Sequence, residues 1–211
     1  MSRFPVPVGA AVAAIVAVAA TTAAMASPVV ARPTPHADSS QAPPSIGVAL
    51  APGDKIAPAT VTDLDGKAVR LTWGGAKLTL VNLWATWCQP CREEMPEIQK
   101  LSARHAADGL TTLGIVVIDR TTPDAVRKAA ADAGVSYRVL LSGDNSVAYA
   151  FGGIATVPMT FLLDAEGRLV RKYVGTNPDE LAALNRDVDD FLAGRRLGVP
   201  YIPPAPSPTK H

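Results

Sequence analysis

Residues 77–91 read KLTLVNLWATWCQPC, and this stretch decides the fold. Six of its first nine residues are apolar, on both alternating sets of positions, which is typical of a central β-strand that is covered on both faces. A helix is predicted to begin at Cys88 and to end near Gly109, with an inner face formed by Met95, Ile98 and Leu101. A buried strand therefore runs directly into a helix, and two cysteines stand at the junction.

Further strands and helices are predicted on either side of this stretch. Asp65-Gly66, between two short β-prone runs, predicts a hairpin. Thr122-Pro123-Asp124 and residues 177–180 (NPDE) have the sequence of helix starts. The other predicted strands are residues 113–118, 137–141, 159–163 and 169–174, and a helical turn is expected at 145–151. Strands that alternate with helices and close on an antiparallel hairpin predict an α/β fold with a central mixed β-sheet flanked by helices.

The composition excludes several classes of protein. Twenty basic and 19 acidic side chains give a net charge of +1, which argues against a protein that binds nucleic acid or an anionic membrane surface. Apolar residues make up 48% of the chain, enough for a real core, so wholesale disorder is excluded. Only two cysteines are present, so the chain is not a small disulfide-rich scaffold.

The distribution of prolines separates a folded domain from its flanks. Nine of the 19 prolines fall in the first 58 residues and five in the last twelve. Residues 1–31 combine Arg3 with a long uncharged stretch rich in alanine and valine, which predicts a signal peptide or an N-terminal membrane anchor. We therefore expect a Pro-rich linker at 32–57, one domain at 58–199 and a disordered Pro-rich tail at 200–211. The expected location is the periplasm or the outer face of the cytoplasmic membrane.

Cys88 and Cys91 can form a disulfide across one helical turn. The helix N-terminus favours the thiolate of Cys88, so Cys88 is the expected nucleophile, and Cys91, one turn inside, is the expected resolving thiol. Half a zinc site has the same spacing, but zinc needs four ligands and there is no second cysteine pair. His36 and His211 lie in the flanks, and His105 is expected on a helix surface. A structural bridge closing so short a loop constrains little chain entropy. The pattern therefore indicates a redox-active disulfide, with no metal and no cofactor.

Two separated stretches carry a resemblance to one family. WATWCQPCREEMP at residues 84–96 closely resembles the active-site segment of TlpA/ResA-type thioredoxin-like proteins, which are extracytoplasmic thiol-disulfide oxidoreductases. TVPMTFLLDAEG at residues 156–167 matches the second signature of that family. The resemblance covers residues 57–193. It implies a thioredoxin-like fold with an N-terminal β-hairpin extension and a helical insertion.

The resemblance also implies roles for three residues near the disulfide. Pro158 is expected to be a cis-proline facing the cysteine pair. Val157 is then expected to offer backbone hydrogen bonds to an extended substrate, and Trp87 to shield the Cys88 sulfur. These residues form the predicted substrate-binding site.

The resemblance also implies a carboxylate that takes part in proton transfer with the inner thiol. Asn82 stands where thioredoxins keep a buried aspartate that helps to deprotonate the inner thiol. In the family a carboxylate at the end of the next strand takes this role instead, and Asp119 is the candidate here. The remaining acidic residues nearby are interpreted as a solvated helix face, namely Glu93, Glu94 and Glu97.

Four functions are considered for the cysteine pair. The resemblance and the Gln89-Pro90 dipeptide favour a monomeric reductase of protein disulfides. In the family such reductases take electrons from a membrane thiol-disulfide donor and often act on apocytochrome c. A disulfide oxidase or isomerase is the main alternative, although strong oxidants of this fold place histidine between the thiols. A thiol peroxidase needs threonine three residues before the reactive cysteine, where this chain has Ala85. A copper metallochaperone uses a wider cysteine spacing and a histidine.

Overall fold

The computed structural model describes residues 49–197, so the predicted export segment, most of the linker and the tail lie outside the described residues. Within this range the strands are β1 (Ala59–Asp63), β2 (Ala68–Leu71), β3 (Leu78–Trp84), β4 (Leu110–Val116), β5 (Arg138–Leu141), β6 (Met159–Asp164) and β7 (Leu169–Val174). The helices are α1 (Gln89–His105), α2 (Pro123–Asp132), α3 (Ser146–Ala150) and α4 (Pro178–Leu192).

The strands form one mixed sheet in the order β2-β1-β5-β4-β3-β6-β7. β3, β4 and β5 are parallel neighbours, whereas β6 and β7 are antiparallel and extend the sheet on one side of β3. The hairpin of β1 and β2 is antiparallel and extends the sheet beyond β5. β3 has a hydrogen-bonded neighbour on each side and all seven of its residues are buried, so it is an inner strand covered on both faces, as its sequence predicts.

Each face of the sheet carries its own hydrophobic cluster. One face is covered by α1, α2 and α4, whose inner residues include Ile98, Val126 and Leu184. The other face is covered by α3 and by segments that include Ile56 and Trp73. β3 contributes alternate residues to both clusters. The segment that follows it therefore leaves the sheet at the ends of the strands, between two packed layers.

The helical insertion between β4 and β5 is α2, and its start follows the predicted cap. The Thr122 hydroxyl accepts a hydrogen bond from the Ala125 N–H at 3.3 Å, and Pro123 opens the helix. Arg127 ties this helix to the N-terminal hairpin, since it pairs with Asp65 and donates to the Leu64 carbonyl. The insertion and the hairpin extension are therefore held together by contacts of the Arg127 side chain.

The α/β class, the mixed sheet, the hairpin extension and the insertion are confirmed. The bounds of β4 were wrong, because this strand runs over Leu110–Val116 rather than residues 113–118. Ile118 leaves the strand because its backbone turns into the left-handed region, at a φ of 46°. Among the described residues, no helix combines the length and the apolar character that crossing a membrane requires.

Candidate active site

Cys88 and Cys91 are joined by a disulfide at the start of α1. Cys88 is the N-cap residue, and its Sγ accepts a hydrogen bond from the Cys91 N–H at 3.2 Å. Cys88 is 4% exposed and Cys91 is fully buried. The helix N-terminus therefore directs an N–H and the positive end of its dipole at the Cys88 sulfur, which is the sulfur nearer to the surface.

The loop before the disulfide is held by Thr86. The Asp119 carboxylate accepts hydrogen bonds from the Thr86 N–H at 2.6 Å and from its hydroxyl at 2.7 Å. Arg92 of α1 donates to the Thr86 carbonyl at 2.9 Å. Asp119, the expected proton-transfer carboxylate, thus lies beside the active-site loop, and its observed contacts are those of a residue that fixes the loop two residues before Cys88.

The Val157–Pro158 peptide bond is cis, as the resemblance implies. Pro158 is buried and immediately precedes β6, and its carbonyl accepts a hydrogen bond from the Gly175 N–H at 3.0 Å. Met159, the next residue, pairs with Leu83 near the end of β3. The cis-proline segment therefore lies at the end of the sheet from which the disulfide loop emerges.

Three large apolar side chains are exposed among the described residues, and all three lie at this end of the sheet. Trp87 is 61% exposed, Ile118 is 55% exposed and Val174 is 43% exposed. Trp87 precedes Cys88 directly, Ile118 follows β4, and Val174 pairs with Met159. Trp87 was singled out from sequence, whereas Ile118 and Val174 gave no such signal because each is the last residue of a stretch predicted as a strand.

Ile118 is held in an unfavourable backbone conformation. It is the one non-glycine residue between 49 and 197 with a positive φ. The steric free energy of this left-handed region is highest for β-branched residues such as isoleucine. The residues on each side fix it there. The Val117 N–H donates to the Trp84 carbonyl at 2.9 Å, and Asp119 binds Thr86. Strain of this kind concentrates at functional sites, and here it presents an apolar side chain beside the disulfide loop.

Glu94 corrects the interpretation of the acidic helix face. Glu93 is exposed as predicted, but Glu94 is 8% exposed. It lies three residues after Cys91, so the two share the inner face of α1 with Met95 and Ile98. The spacing at 91, 94, 95 and 98 is that of one buried helical face, and this signal could have identified Glu94 from sequence.

The surroundings of Glu94 change its acidity. The Asn82 side-chain amide donates to Glu94 Oε1 at 2.8 Å and to Thr160 Oγ1 at 3.1 Å. Burial raises the pKa of Glu94 to about 7, and the hydrogen bond from Asn82 opposes that rise. A carboxyl group that exchanges its proton near neutral pH therefore lies one turn from the inner cysteine.

His105 is not the surface residue that was expected. Its side chain is largely buried, with Nδ1 2.8 Å from an Asp108 oxygen and Nε2 2.7 Å from an Asp189 oxygen. The Asp189 contact joins the end of α1 to α4, far along the helix from the disulfide. Within residues 49–197, no group of three or more His, Cys, Asp or Glu side chains is placed to hold a metal ion.

A disulfide at the first turn of the helix that follows the central strand, with a cis-proline at the end of the adjacent strand, defines the class: the protein is a thiol-disulfide oxidoreductase of thioredoxin-like fold. The chain belongs to the Redoxin family, whose model matches residues 51–190. The predicted resemblance to TlpA/ResA-type proteins is confirmed by the relatives that follow.

Two curated relatives carry names of the same activity. Thiol-disulfide oxidoreductase ResA of Bacillus thuringiensis is 30% identical over 121 residues, which are 57% of this chain and 68% of the relative. Thiol:disulfide interchange protein HelX of Rhodobacter capsulatus is 33% identical over 118 residues, which are 56% of this chain and 62% of the relative.

Solved structures show the same fold. The thioredoxin domain of a thiol-disulfide oxidoreductase of Bacteroides vulgatus matches with a TM-score of 0.58 at 28% identity, covering 68% of this chain and 99% of that domain. A thiol:disulfide interchange protein of the thioredoxin family from Chlorobium tepidum matches with a TM-score of 0.56 at 29% identity, covering 67% and 98%.

Proposed function

We propose that this oxidoreductase is a reductase of protein disulfides outside the cytoplasm. The observation that supports the direction is the buried Glu94 carboxyl one turn from Cys91. A negative charge there disfavours a nearby thiolate. A couple is strongly oxidising when its reduced form is stabilised, so a carboxylate that destabilises the ionised dithiol makes the couple more reducing.

The exchange proceeds in two thiolate attacks. The Cys88 thiolate attacks one sulfur of a substrate disulfide, which breaks that bond and gives a Cys88–substrate mixed disulfide and one substrate thiolate. Cys91 then loses its proton and attacks Cys88 Sγ, which releases the second substrate thiolate and closes the disulfide seen here. Two electrons pass from the cysteine pair to the substrate. We assign to Glu94 the uptake of the Cys91 proton, because a group with a pKa of about 7 exchanges protons readily at neutral pH.

A potential measurement tests the direction. We expect the reduction potential of the Cys88–Cys91 couple to lie at or below roughly −200 mV, the range that separates thioredoxin-like couples from strongly oxidising ones. The Gln89-Pro90 dipeptide, which places no histidine between the thiols, supports the same expectation. Equilibration with glutathione or dithiothreitol gives the value, and a result near −120 mV would assign the protein to the oxidases instead.

A protein substrate is supported by the three exposed apolar residues. Trp87, Ile118 and Val174 lie around the disulfide end of the sheet, and a cavity of about 560 Å³ opens beside Ile118. Exposed apolar groups gathered at one place mark sites of macromolecular contact. We assign Val157 and Pro158 to the same surface, with the Val157 backbone binding an extended substrate segment.

Replacing Ile118 separates protein substrates from small ones. Ile118→Asn keeps a residue that tolerates the left-handed backbone but removes the apolar contact. We expect the rate with a protein disulfide to fall about five- to tenfold, the usual cost of losing one important interface side chain. The rate with oxidised glutathione and the melting temperature are expected to stay close to wild type. Equal losses with both substrates would show that Ile118 does not contact the protein substrate.

Export, the substrate and the electron donor are proposed from sequence. Residues 1–31 direct the protein to the periplasm or to the outer face of the cytoplasmic membrane. The TlpA/ResA resemblance supports a membrane thiol-disulfide protein as donor and the oxidised haem-binding cysteines of apocytochrome c as substrate. An alkaline-phosphatase fusion after residue 50 is expected to be active, and an inactive fusion retained in the cytoplasm would contradict export.

A further inference from the structure

Tyr137 is a buried titratable residue that the exchange steps above do not use. It lies just before β5, on the face of the sheet that α1 covers. Its hydroxyl is buried, and no hydrogen-bond partner for it is found within the described residues. Burial raises the pKa of Tyr137 above its usual range, and the Glu94 charge raises it further. The hydroxyl is therefore a neutral donor within electrostatic reach of Glu94.

The backbone of Tyr137 is anchored to the helix that carries Glu94. Gln99 of α1 accepts hydrogen bonds from the Ser136 N–H at 2.8 Å and from the Tyr137 N–H at 3.3 Å. Gln99 lies five residues after Glu94 on the same helix. The backbone at the start of β5 is thus tied to α1 about one turn after Glu94.

Gly114 provides the space for the Tyr137 ring. A Cβ at this position would lie 2.9 Å from the ring of Tyr137 and 3.2 Å from Trp84 Nε1. Gly114 is the register partner of Asn82 on β3, and Asn82 binds Glu94. The Tyr137 ring therefore covers the residue next to Asn82, on the face where Asn82 meets Glu94.

We propose that the Tyr137 hydroxyl donates a hydrogen bond to the Glu94 carboxylate when Glu94 ionises during the exchange, so that Tyr137 is a positioning residue of the reaction. Asn82 occupies Glu94 Oε1, which leaves the second carboxylate oxygen for a donor from the β5 side. This role rests on the proposed function, because it acts through the proton that Glu94 takes from Cys91.

Among the groups around Glu94, Tyr137 is the titratable residue on the sheet side that can donate a hydrogen bond to the Glu94 carboxylate. Within α1 the titratable neighbour on the buried face is Cys91, and β3 and β6 contribute the neutral Asn82 and Thr160. Three buried charged residues of β7 and α4 lie around Tyr173 instead. Its hydroxyl donates to Asp187 at 2.6 Å, Arg171 pairs with Asp187, and Glu180 lies nearby.

The test is the titration of the Glu94 carboxyl in the reduced protein, followed by ¹³C NMR. Tyr137→Phe removes only the hydroxyl, and we expect the Glu94 midpoint to rise by roughly one pH unit, since a hydrogen bond to a charged group is lost. Tyr173→Phe is the matched control, because it removes another buried tyrosine hydroxyl, which bonds Asp187 instead. It is expected to lower stability and to leave the Glu94 midpoint unchanged.

The outcomes separate this inference from the proposed function. A Glu94 midpoint in Tyr137→Phe within about 0.2 units of wild type overturns the inference, whatever happens to stability. If the midpoint moves but Glu94→Gln leaves the pH dependence of disulfide reduction unchanged, the Tyr137–Glu94 contact stands and the proton-transfer role of Glu94 falls. Gly114→Ala, which would displace the ring without removing the hydroxyl, is expected to move the midpoint in the same direction.

Discussion

Cys88→Ser is expected to abolish disulfide reduction, with a loss on the order of a thousandfold or more, because the variant lacks the attacking thiolate. Cys91→Ser is expected to retain the attack and then to stop as a covalent complex. The structural reason is the asymmetry of the pair. Cys88 is the N-cap of α1 and receives the Cys91 N–H, whereas Cys91 is fully buried one turn further on. Purification under non-reducing conditions, followed by release with dithiothreitol, measures the complex.

The trapped partner also identifies the substrate. Recovery of apocytochrome c or a haem-delivery component with Cys91→Ser supports the maturation role. A broad set of exported proteins supports general reduction or isomerisation. If Cys88→Ser traps partners and Cys91→Ser does not, the roles are reversed and the helix-terminus argument is wrong for this site. If neither variant traps a partner and the wild type reduces no disulfide, the redox function is wrong.

Glu94→Gln is expected to slow disulfide reduction at neutral pH by about a hundredfold, the lower end of what a positioned proton acceptor contributes. Glutamine has the same shape and still accepts the Asn82 hydrogen bond, so the loss reports the missing proton acceptor. The wild-type rate is expected to rise with pH through about 7, where Glu94 ionises, and the variant is expected to lose this step. The same change is expected to make the couple less reducing, because a buried negative charge is removed.

The pH dependence of stability gives a second measurement of the Glu94 pKa. The pKa of Glu94 in the folded protein, about 7, lies above its ordinary value of 4.5, so the folded state holds the proton more tightly than the unfolded state. The resulting stabilisation is fully present below pH 4.5 and is lost as the pH rises towards 7. The free energy of unfolding of the wild type is expected to fall over this range, and that of Glu94→Gln to fall much less.

Asp119→Asn tests whether Glu94 or Asp119 accepts the proton that Cys91 loses. This variant keeps an oxygen that can accept from Thr86 and removes only the charge of Asp119. If Glu94 takes the proton, Glu94→Gln removes the neutral step in the pH profile and Asp119→Asn leaves it in place. The reverse result would return the proton-transfer role to Asp119. Glu93→Gln, on the exposed face of the same helix, controls for the loss of one charge.

The fold was predictable because its signals are local. A few neighbouring residues suffice to predict the apolar strand β3, the Asp65-Gly66 turn and the Thr122 cap. The end of β4 was not predictable in this way. The run from Leu113 to Ile118 is uniformly apolar, and only the contacts of Val117 and Asp119 with the neighbouring loop turn Ile118 out of the strand.

The sequence alone determined the cysteine pair, its place at the start of a helix and the position of the proline, because each depends on residue type and on spacing along one element. Tertiary structure alone decided the electrostatics of the site. Helical spacing places Glu94 rather than Glu93 on the inner face of α1, but only the folded sheet sets Asn82 beside its carboxyl and removes water from around it. The free energy of a charge depends on the neighbours and solvent around it rather than on its identity. Those neighbours come from β3, from β6 and from Tyr137 just before β5, and they meet the inner face of α1 only in the folded sheet.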